Sequence, residues 1–425
     1  MAILTSERPR AVSGTRTRAW LGVSAAMVAI AWGGNEFTPL LVMYKSHGLP
    51  LTAVDLLLFY YVLGIVPALL IGGPLSDRFG RRPLMLPAPL IAAAGSLLLA
   101  AGAASVPMLA AGRMLCGVAL GLAMAVGGSW LKELSQPPYA AAAAGVGARR
   151  SAMSLTAGFA LGAGVAGVLA QWGPLPDSTA YLVNAALCVA TAVWVAKSPE
   201  TVTRQPNPGR LRDDLKIPAA GHRRFLRVAV PIALWLFTAN ATAYAVLPTL
   251  MLPRVQGAPI AFSALVTMVT LGCGFTIQSV ARRIDRPGTA RAAVLALVLL
   301  TAGMVLASWT AATLSIWVTL LTAVVLGSGY GIGLVAGLQQ IERIAGPGDL
   351  AGLNAVFYSV SYLGFGVPAV LSALHGSFGF GYPAMYLVVA LIAAACLALV
   401  AANYREPVAA APVVRPEPSD SEVRA

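Results

Sequence analysis

Gly73-Pro74-Leu75-Ser76-Asp77-Arg78-Phe79-Gly80-Arg81-Arg82 is a short polar stretch set between two long apolar runs. The runs cover about 53–75 and 84–104, each close to the roughly 20 residues a helix needs to cross the hydrocarbon core of a bilayer. The stretch between them therefore reads as a tight loop at a membrane face. Its arginines assign that face to the cytoplasm, where Lys and Arg accumulate. Gly80 permits a sharp turn. Gly73 is read as a point where helices approach closely. The Asp77 carboxylate is expected near a helix N-terminus, paired with nearby arginines. A plain positively charged loop accounts for Arg81 and Arg82, but not for the glycines or the aspartate. The loop, with Arg78, is accordingly read as a gate that holds helix ends together in one state and releases them in another. Asp285-Arg286-Pro287-Gly288 is its second copy, without the final basic pair, and is expected to latch more weakly.

Working outward, comparable runs recur at approximately 19–43, 107–131, 152–172, 179–197, 226–249, 261–281, 290–308, 313–339, 353–374 and 382–403, giving twelve spans in all. Of the 425 residues 58% are hydrophobic and 11% charged, against about a quarter charged in an ordinary soluble domain. The surplus of apolar sequence must face lipid. Backbone groups in lipid must bond to one another, and runs this long favour helices over barrel strands. The net charge of +13 would suggest nucleic acid in a soluble protein. Here the basic residues sit in short loops between the runs, and topology explains them. With the N-terminus in the cytoplasm, about 26 Lys and Arg fall on the cytoplasmic side and about 2, Lys45 and Arg254, outside. The expected organisation is a cytoplasmic segment 1–18, a six-helix bundle 19–197, a cytoplasmic linker 198–224, a second bundle 225–404 and a disordered cytoplasmic tail 405–425.

The two halves repeat. Asp77 matches Asp285, Gly162 and Gly164 match Gly364 and Gly366, Tyr181 matches Tyr386, Gly121 matches Gly329 and Glu133 matches Glu342, all at offsets of about 202–209 residues. A shared offset is the mark of an internal repeat, and transporters built this way place their site near the midplane between two halves.

Two charges lie inside spans of the first half: Glu36 in Trp32-Gly33-Gly34-Asn35-Glu36-Phe37 and Arg113 in Gly112-Arg113-Met114. An ionised group at the bilayer centre costs on the order of 3 kcal/mol or more and is normally turned inward. Both are read as proton-coupling residues sharing a polar interior. The alternatives are that Glu36 only contacts an uncharged substrate or sits near the outer interface, and that Arg113 snorkels outward. The matching position in the second half is Leu321, so charge coupling is confined to the first half. Asn240 and Tyr244, and Asn354, Tyr358 and Tyr362, repeat at one helical turn and are read with Asn35 as cavity-lining groups. They would suit a mostly apolar, even cationic, small molecule. Bonding between helices is the alternative for these polar faces. Cys116, Cys188, Cys273 and Cys396 lie in apolar runs without metal or redox spacing and are read as packing residues. His47, His222 and His375 fall in loops or helix ends, and no nucleotide loop, zinc motif or Ser/His/Asp set is visible, so neither an enzyme nor a cofactor is expected.

The loop Gly73–Arg82 resembles the signature loop of the major facilitator superfamily, Gly-x-Leu-Ala-Asp-Arg-x-Gly-Arg-Arg/Lys between its second and third helices. The match lies in the corresponding loop, and the resemblance covers about residues 19–404. It implies an all-α membrane protein with twelve transmembrane helices in two pseudo-symmetric six-helix bundles, and an alternating-access transporter. Arg113 ahead of Gly117 and Gly121 resembles the family's helix-four motif, which implies a part in proton transfer. Exporters of the family often carry a glycine-rich fifth helix with a central Gly-Pro. Here Gly158, Gly162, Gly164 and Gly167 are present, but Ala163-Gly164-Val165 stands in its place. The expectation is a monomeric, proton-coupled exporter of a small amphipathic molecule in a bacterial cytoplasmic membrane, with both termini inside and with the substrate, protons and lipid as its partners. An uptake symporter or facilitator, and more remotely a membrane sensor, remain the alternatives.

Overall fold

The computed structural model describes residues 18–405 except 144, 203–210, 285, 287 and 347, and leaves out the side chains of 212 and 213. Its long helices, in chain order, are α1 (Trp20–Ser46), α2 (Leu51–Phe79), α3 (Arg81–Ala101), α4 (Val106–Glu133), α5 (Val146–Trp172), α6 (Thr179–Val195), α7 (Phe225–Leu250), α8 (Pro259–Ile284), α9 (Arg291–Thr313), α10 (Ile316–Ile344), α11 (Asp349–Phe378) and α12 (Tyr382–Ala402). Ten of them are long and apolar enough to cross a membrane; α6, with 17 residues, is shorter, and α1 falls outside the ten. Leu387, Val388, Leu391 and Ile392 on α12, and Leu182, Val189 and Val193 on α6, are exposed. A water-soluble protein hides such surface, and a bilayer covers it.

Each half is wired in the same way. In the first, α1 packs on α5, α2 on α4, and α3 on α4 and α6. In the second, α7 packs on α11, α8 on α10, and α9 on α10 and α12. Between the halves α2 lies on α11 and α5 on α8, each pair the image of the other. The glycines show the repeat at atomic level. A methyl group added at Gly162 would lie 2.4 Å from the Trp32 carbonyl oxygen, and one at Gly364 2.3 Å from the Thr238 backbone nitrogen. The α4/α10 register differs from the sequence expectation. Gly117 and Gly121 meet Tyr61 and Ile65 of α2, and Gly327 and Gly331 meet Thr270 and Gly274 of α8, whereas Gly329 faces Leu300 of α9. Gly121 therefore corresponds to Gly331, an offset of 210 residues. Arg113 then corresponds to buried Ala323, not to Leu321, which is 49% exposed.

Among the described residues, π-helical turns at Ala123–Gly127 in α4 and Thr242–Val246 in α7 and a 3₁₀ turn at Leu363–Gly366 in α11 interrupt the helices, and a further π turn, Phe225–Ala229, opens α7. Such turns recur at functional sites because they swing side chains off the regular helical face.

Candidate functional site

The three turns within α4, α7 and α11 converge. A cavity of about 330 Å³, counting the part open to solvent, lies between the halves, lined by Gly34 and Asn35 of α1, Tyr61 of α2 and Phe159 of α5 on one side. Phe237, Asn240 and Tyr244 of α7, Leu271 of α8, Tyr330 of α10, and Tyr362 and Phe365 of α11 line the other. Tyr244 sits in the α7 π turn and Phe365 in the α11 3₁₀ turn. Tyr362 Oη donates to Sδ of Met124, in the α4 π turn, at 3.5 Å across the halves. Phe237 stacks on Tyr362 with centroids 4.3 Å apart and 12° between planes, and meets Phe365 at 5.0 Å. None of the lining residues is charged.

Four of the six predicted cavity residues are in this lining: Asn35, Asn240, Tyr244 and Tyr362. Asn354 and Tyr358 are not. They continue the polar face of α11 toward its N-terminal end, one and two turns beyond the short cavity, and Tyr358 packs edge-on against Phe357. Sequence reasoning passed over Gly34, Tyr61, Phe159, Phe237, Leu271, Tyr330 and Phe365.

Behind the cavity wall lies the charge site. Glu36 is fully buried and turned into the first bundle, not into the cavity. Ser96 Oγ of α3 lies 3.3 Å from Glu36 Oε1 and 2.8 Å from Asn184 Oδ1 of α6, and Asn184 Nδ2 donates to the Ala29 carbonyl at 2.8 Å. An ionised Glu36 and Asn184 Oδ1 are both acceptors, so the single Ser96 proton serves one of them at a time. Glu36 Oε2 makes no hydrogen bond of ordinary geometry, and the Trp32 indole N–H, itself without one, is the donor beside it. Arg113, 1% exposed, does not snorkel. Its guanidinium lies 4.0 Å from the Tyr61 ring centroid and 4.5 Å from that of Phe37, and Nη1 donates to the Gly34 carbonyl at 3.3 Å. The two charges share one interior without a direct ion pair. A methyl group at Gly34 would sit 2.3 Å from Tyr61 Oη, so only glycine lets Tyr61 and Arg113 stack there.

At the linker end, Arg81 organises the predicted gate. Its guanidinium bonds Glu133 Oε1 at 2.8 Å and Ser76 Oγ at 2.6 Å, and pairs with Asp77. Arg78 Nε meets Asp214 Oδ2 of the linker at 2.5 Å, which holds the exposed Asp214 carboxyl below its ordinary range. Gly80 turns at φ +104°, the left-handed region expected of it. Two expectations are corrected. A side chain at Gly73 would meet nothing within 4 Å, so no close approach depends on it. The acid at the α3 N-terminus is Glu200, not Asp77. Glu200 accepts the Arg81 and Arg82 backbone N–H groups at 2.9 Å each, with those of Thr201 and Val202. Partial burial would raise the Glu200 carboxyl, but these four donors outweigh it and hold the carboxyl below its usual range. In the second copy, Asp285 lies outside the described residues. Arg286 is exposed, and its carbonyl accepts from Thr289.

The opposite end carries ties between the halves. Lys45 and Asp55, each with a side chain 3% exposed, form an ion pair of 2.6 Å, and Lys45 Nζ also donates to Thr249 Oγ1 of α7 at 3.2 Å. Gln171 Oε1 of α5 accepts the Ile260 and Ala261 N–H groups of α8 at 3.0 and 3.2 Å. The α5 glycines split between two neighbours, Gly158 and Gly162 against α1, Gly164 and Gly167 against Met268 and Ala264 of α8. Among the described residues no cluster of His, Cys, Asp and Glu is suited to a metal.

The fold has counterparts among solved structures. A POT family transporter in complex with 5-aminolevulinic acid aligns at TM-score 0.72 and 12% identity, covering 91% of this chain and 96% of that one. The nucleoside transporter NupG aligns at 0.68 and 13%, over 90% and 98%. The human organic anion transporter MFSD10 aligns at 0.66 and 19%, over 91% and 99%. Likeness at such identities speaks for the fold alone. No curated protein matches the sequence. Residues 21–367 match the Major Facilitator Superfamily. The chain belongs to that superfamily, as a multi-pass membrane transporter and not an enzyme.

Proposed function

We propose that this protein moves a small, mostly apolar molecule out of a bacterial cell by alternating access, driven by protons that bind at Glu36. The observation that carries the reading is the placement of Glu36: fully buried, with one oxygen making no hydrogen bond of ordinary geometry, and beside Asn35 and Gly34, which line the cavity. A carboxylate in that position is kept only where its ionisation is used or compensated. Arg113 compensates it at a distance while bonding the cavity wall, so a change of charge at Glu36 is felt at Gly34 and Tyr61. Ser96 gives the event a mechanical consequence. With Glu36 ionised, Ser96 donates to it; with Glu36 protonated, Ser96 turns to Asn184, and the tie between α1 and α3 is exchanged for one between α3 and α6.

In the orientation set by the positive-inside rule, both termini and the Arg81 cluster are cytoplasmic, and the Lys45–Thr249 and Gln171–α8 ties close the outer end. The Arg81 cluster belongs to the first half and the linker, and is the cytoplasmic gate. Export rests on the glycine-rich α5, whose Gly164 and Gly167 face α8 across the interface. Proton-coupled uptake is the second reading, favoured by the absence of a proline at Ala163-Gly164-Val165. Transport in inverted membrane vesicles, scanned over small amphipathic compounds with and without a protonophore, tests both. Protonophore-sensitive accumulation in inverted vesicles supports export. Accumulation only in right-side-out vesicles supports uptake, and flux insensitive to the protonophore removes the coupling.

A further inference from the structure

Two amides and four tyrosine hydroxyls belong to the lining residues of the cavity, and one amide is open on both of its sides. Asn240 is 1% exposed, and neither Oδ1 nor Nδ2 has a hydrogen-bond partner. The other lining amide is committed: Asn35 Nδ2 donates to the Phe159 carbonyl and Asn35 Oδ1 accepts from Thr38, each at 3.3 Å. Tyr61 Oη is likewise buried without a partner. A buried amide in this condition is stabilised by a guest that presents a donor and an acceptor side by side.

The charge distribution narrows the guest. Glu36 is turned away from the cavity toward Ser96, so the acid that would recommend a cation does not line it. The nearest charge on the wall is positive: Arg113 bonds Gly34 and occupies the Tyr61 ring. A cationic guest would meet that field and find this ring already engaged. An anion would lose its hydration among aromatic walls.

We propose that the cavity takes a flat, uncharged one- or two-ring molecule with a lactam or primary-amide edge, read by Asn240 through a paired hydrogen bond. The N–H of the guest donates to Oδ1, and Nδ2 donates to its carbonyl oxygen. The ring lies among Phe159, Phe237, Leu271 and Phe365. This rests on the reading of the cavity as the substrate site.

The test is calorimetric titration of the purified full-length protein in nanodiscs, without any gradient, using 2-quinolinone, 1-methyl-2-quinolinone, which lacks the donor, and 1-methylquinolinium, a cation of similar shape. The wild type is expected to bind 2-quinolinone at least about tenfold more tightly than either of the others, because a site built to bond an N–H rejects an analogue without it. Asn240→Leu is expected to bring the two quinolinones to near equality. Asn240→Ser is read in its place if the leucine variant is not monodisperse. Tyr61→Phe is expected to weaken 2-quinolinone by about threefold. Tighter binding of the cation, equal binding of the two quinolinones by the wild type, discrimination that survives at position 240, or no binding of any of the three at millimolar concentration overturns the inference. Because no flux is measured, such a failure leaves the proton-coupled reading standing, and a failure of proton coupling leaves this titration unaffected.

Discussion

Arg113 lies over the ring of Tyr61, 4.0 Å from its centroid, and Tyr61 forms part of the cavity wall. One aromatic ring thus separates the buried charges of the first bundle from the space between the halves. A buried cation–π contact is worth about 2 kcal/mol, and Arg113 makes two, with Phe37 as the second. Arg113→Lys keeps the charge but loses the flat stacking surface and is expected to slow transport by about tenfold with normal membrane insertion. Arg113→Leu leaves Glu36 without its compensating charge, and breaking such a buried arrangement costs about 3–5 kcal/mol. Its thermal midpoint in detergent should fall well below that of the lysine variant.

The outer end offers a separable pair of changes. Thr249→Val removes the bond from Lys45 across the halves and leaves the Lys45–Asp55 pair intact. The expected effect is a modest shift, about three- to tenfold, toward the outward-open population. Spin labels at Ala104→Cys, exposed in the turn just after α3, and Ala312→Cys, exposed at the outer end of α9, should then show an enlarged long-distance component. Lys45→Met strands the buried Asp55 and should destabilise the fold as a whole.

Glycine substitutions should divide according to what they touch. Gly162→Ala forces a carbon to within 2.4 Å of the Trp32 carbonyl oxygen and should reduce the yield of folded protein sharply. Gly73→Ala meets nothing within 4 Å and lies inside α2, where alanine is favoured over glycine by about 1 kcal/mol. A thermal midpoint equal to or above the wild type is expected for it.

Glu200 anchors the chain after α6 to the N-terminus of α3. Its folded-state pKa lies below the ordinary carboxylate value, about 4.3 for Glu. Its stabilisation is therefore complete above that pH and lost only as pH falls through the depressed value. Glu200→Gln should lower stability by about 1–2 kcal/mol at pH 7. The difference from wild type should be constant from pH 6 to 8 and vanish in strong acid, as followed by thermal unfolding.

What the sequence displayed and what it hid follow from the same physics. Lipid demands long apolar helices, so the spans and the polar Gly73–Arg82 stretch stand out, although what reads as a loop is the last two turns of α2, the turn at Gly80 and the start of α3. Glu36 and Arg113 stand out because charge is rare there. Phe159, Phe237, Leu271 and Phe365 were invisible as cavity residues. An apolar side chain in an apolar span reads the same whether it faces lipid, a neighbouring helix or a cavity. Nothing in the residue types announces the turns at Ala123–Gly127 and Thr242–Val246, so the aromatic convergence had no signal. Asn354 and Tyr358 misled because a helical face is continuous while the cavity is short. Tyr61 was within reach: an aromatic hydroxyl amid a span, like Tyr244, wants a partner. The slip of the α10 register arose because glycines two residues apart look alike in sequence but face α8 and α9 respectively.

The central claim is that the charge state of Glu36 sets which end of the cleft is open. Distances between labels at Ala104→Cys and Ala312→Cys, measured in nanodiscs from pH 5 to 9 without substrate, test it most directly. The account predicts that the wild type redistributes between short and long outer distances across this range, and that Glu36→Gln stays fixed in one distribution. A pH-dependent redistribution that persists unchanged in Glu36→Gln, or a wild type that does not respond, would contradict it.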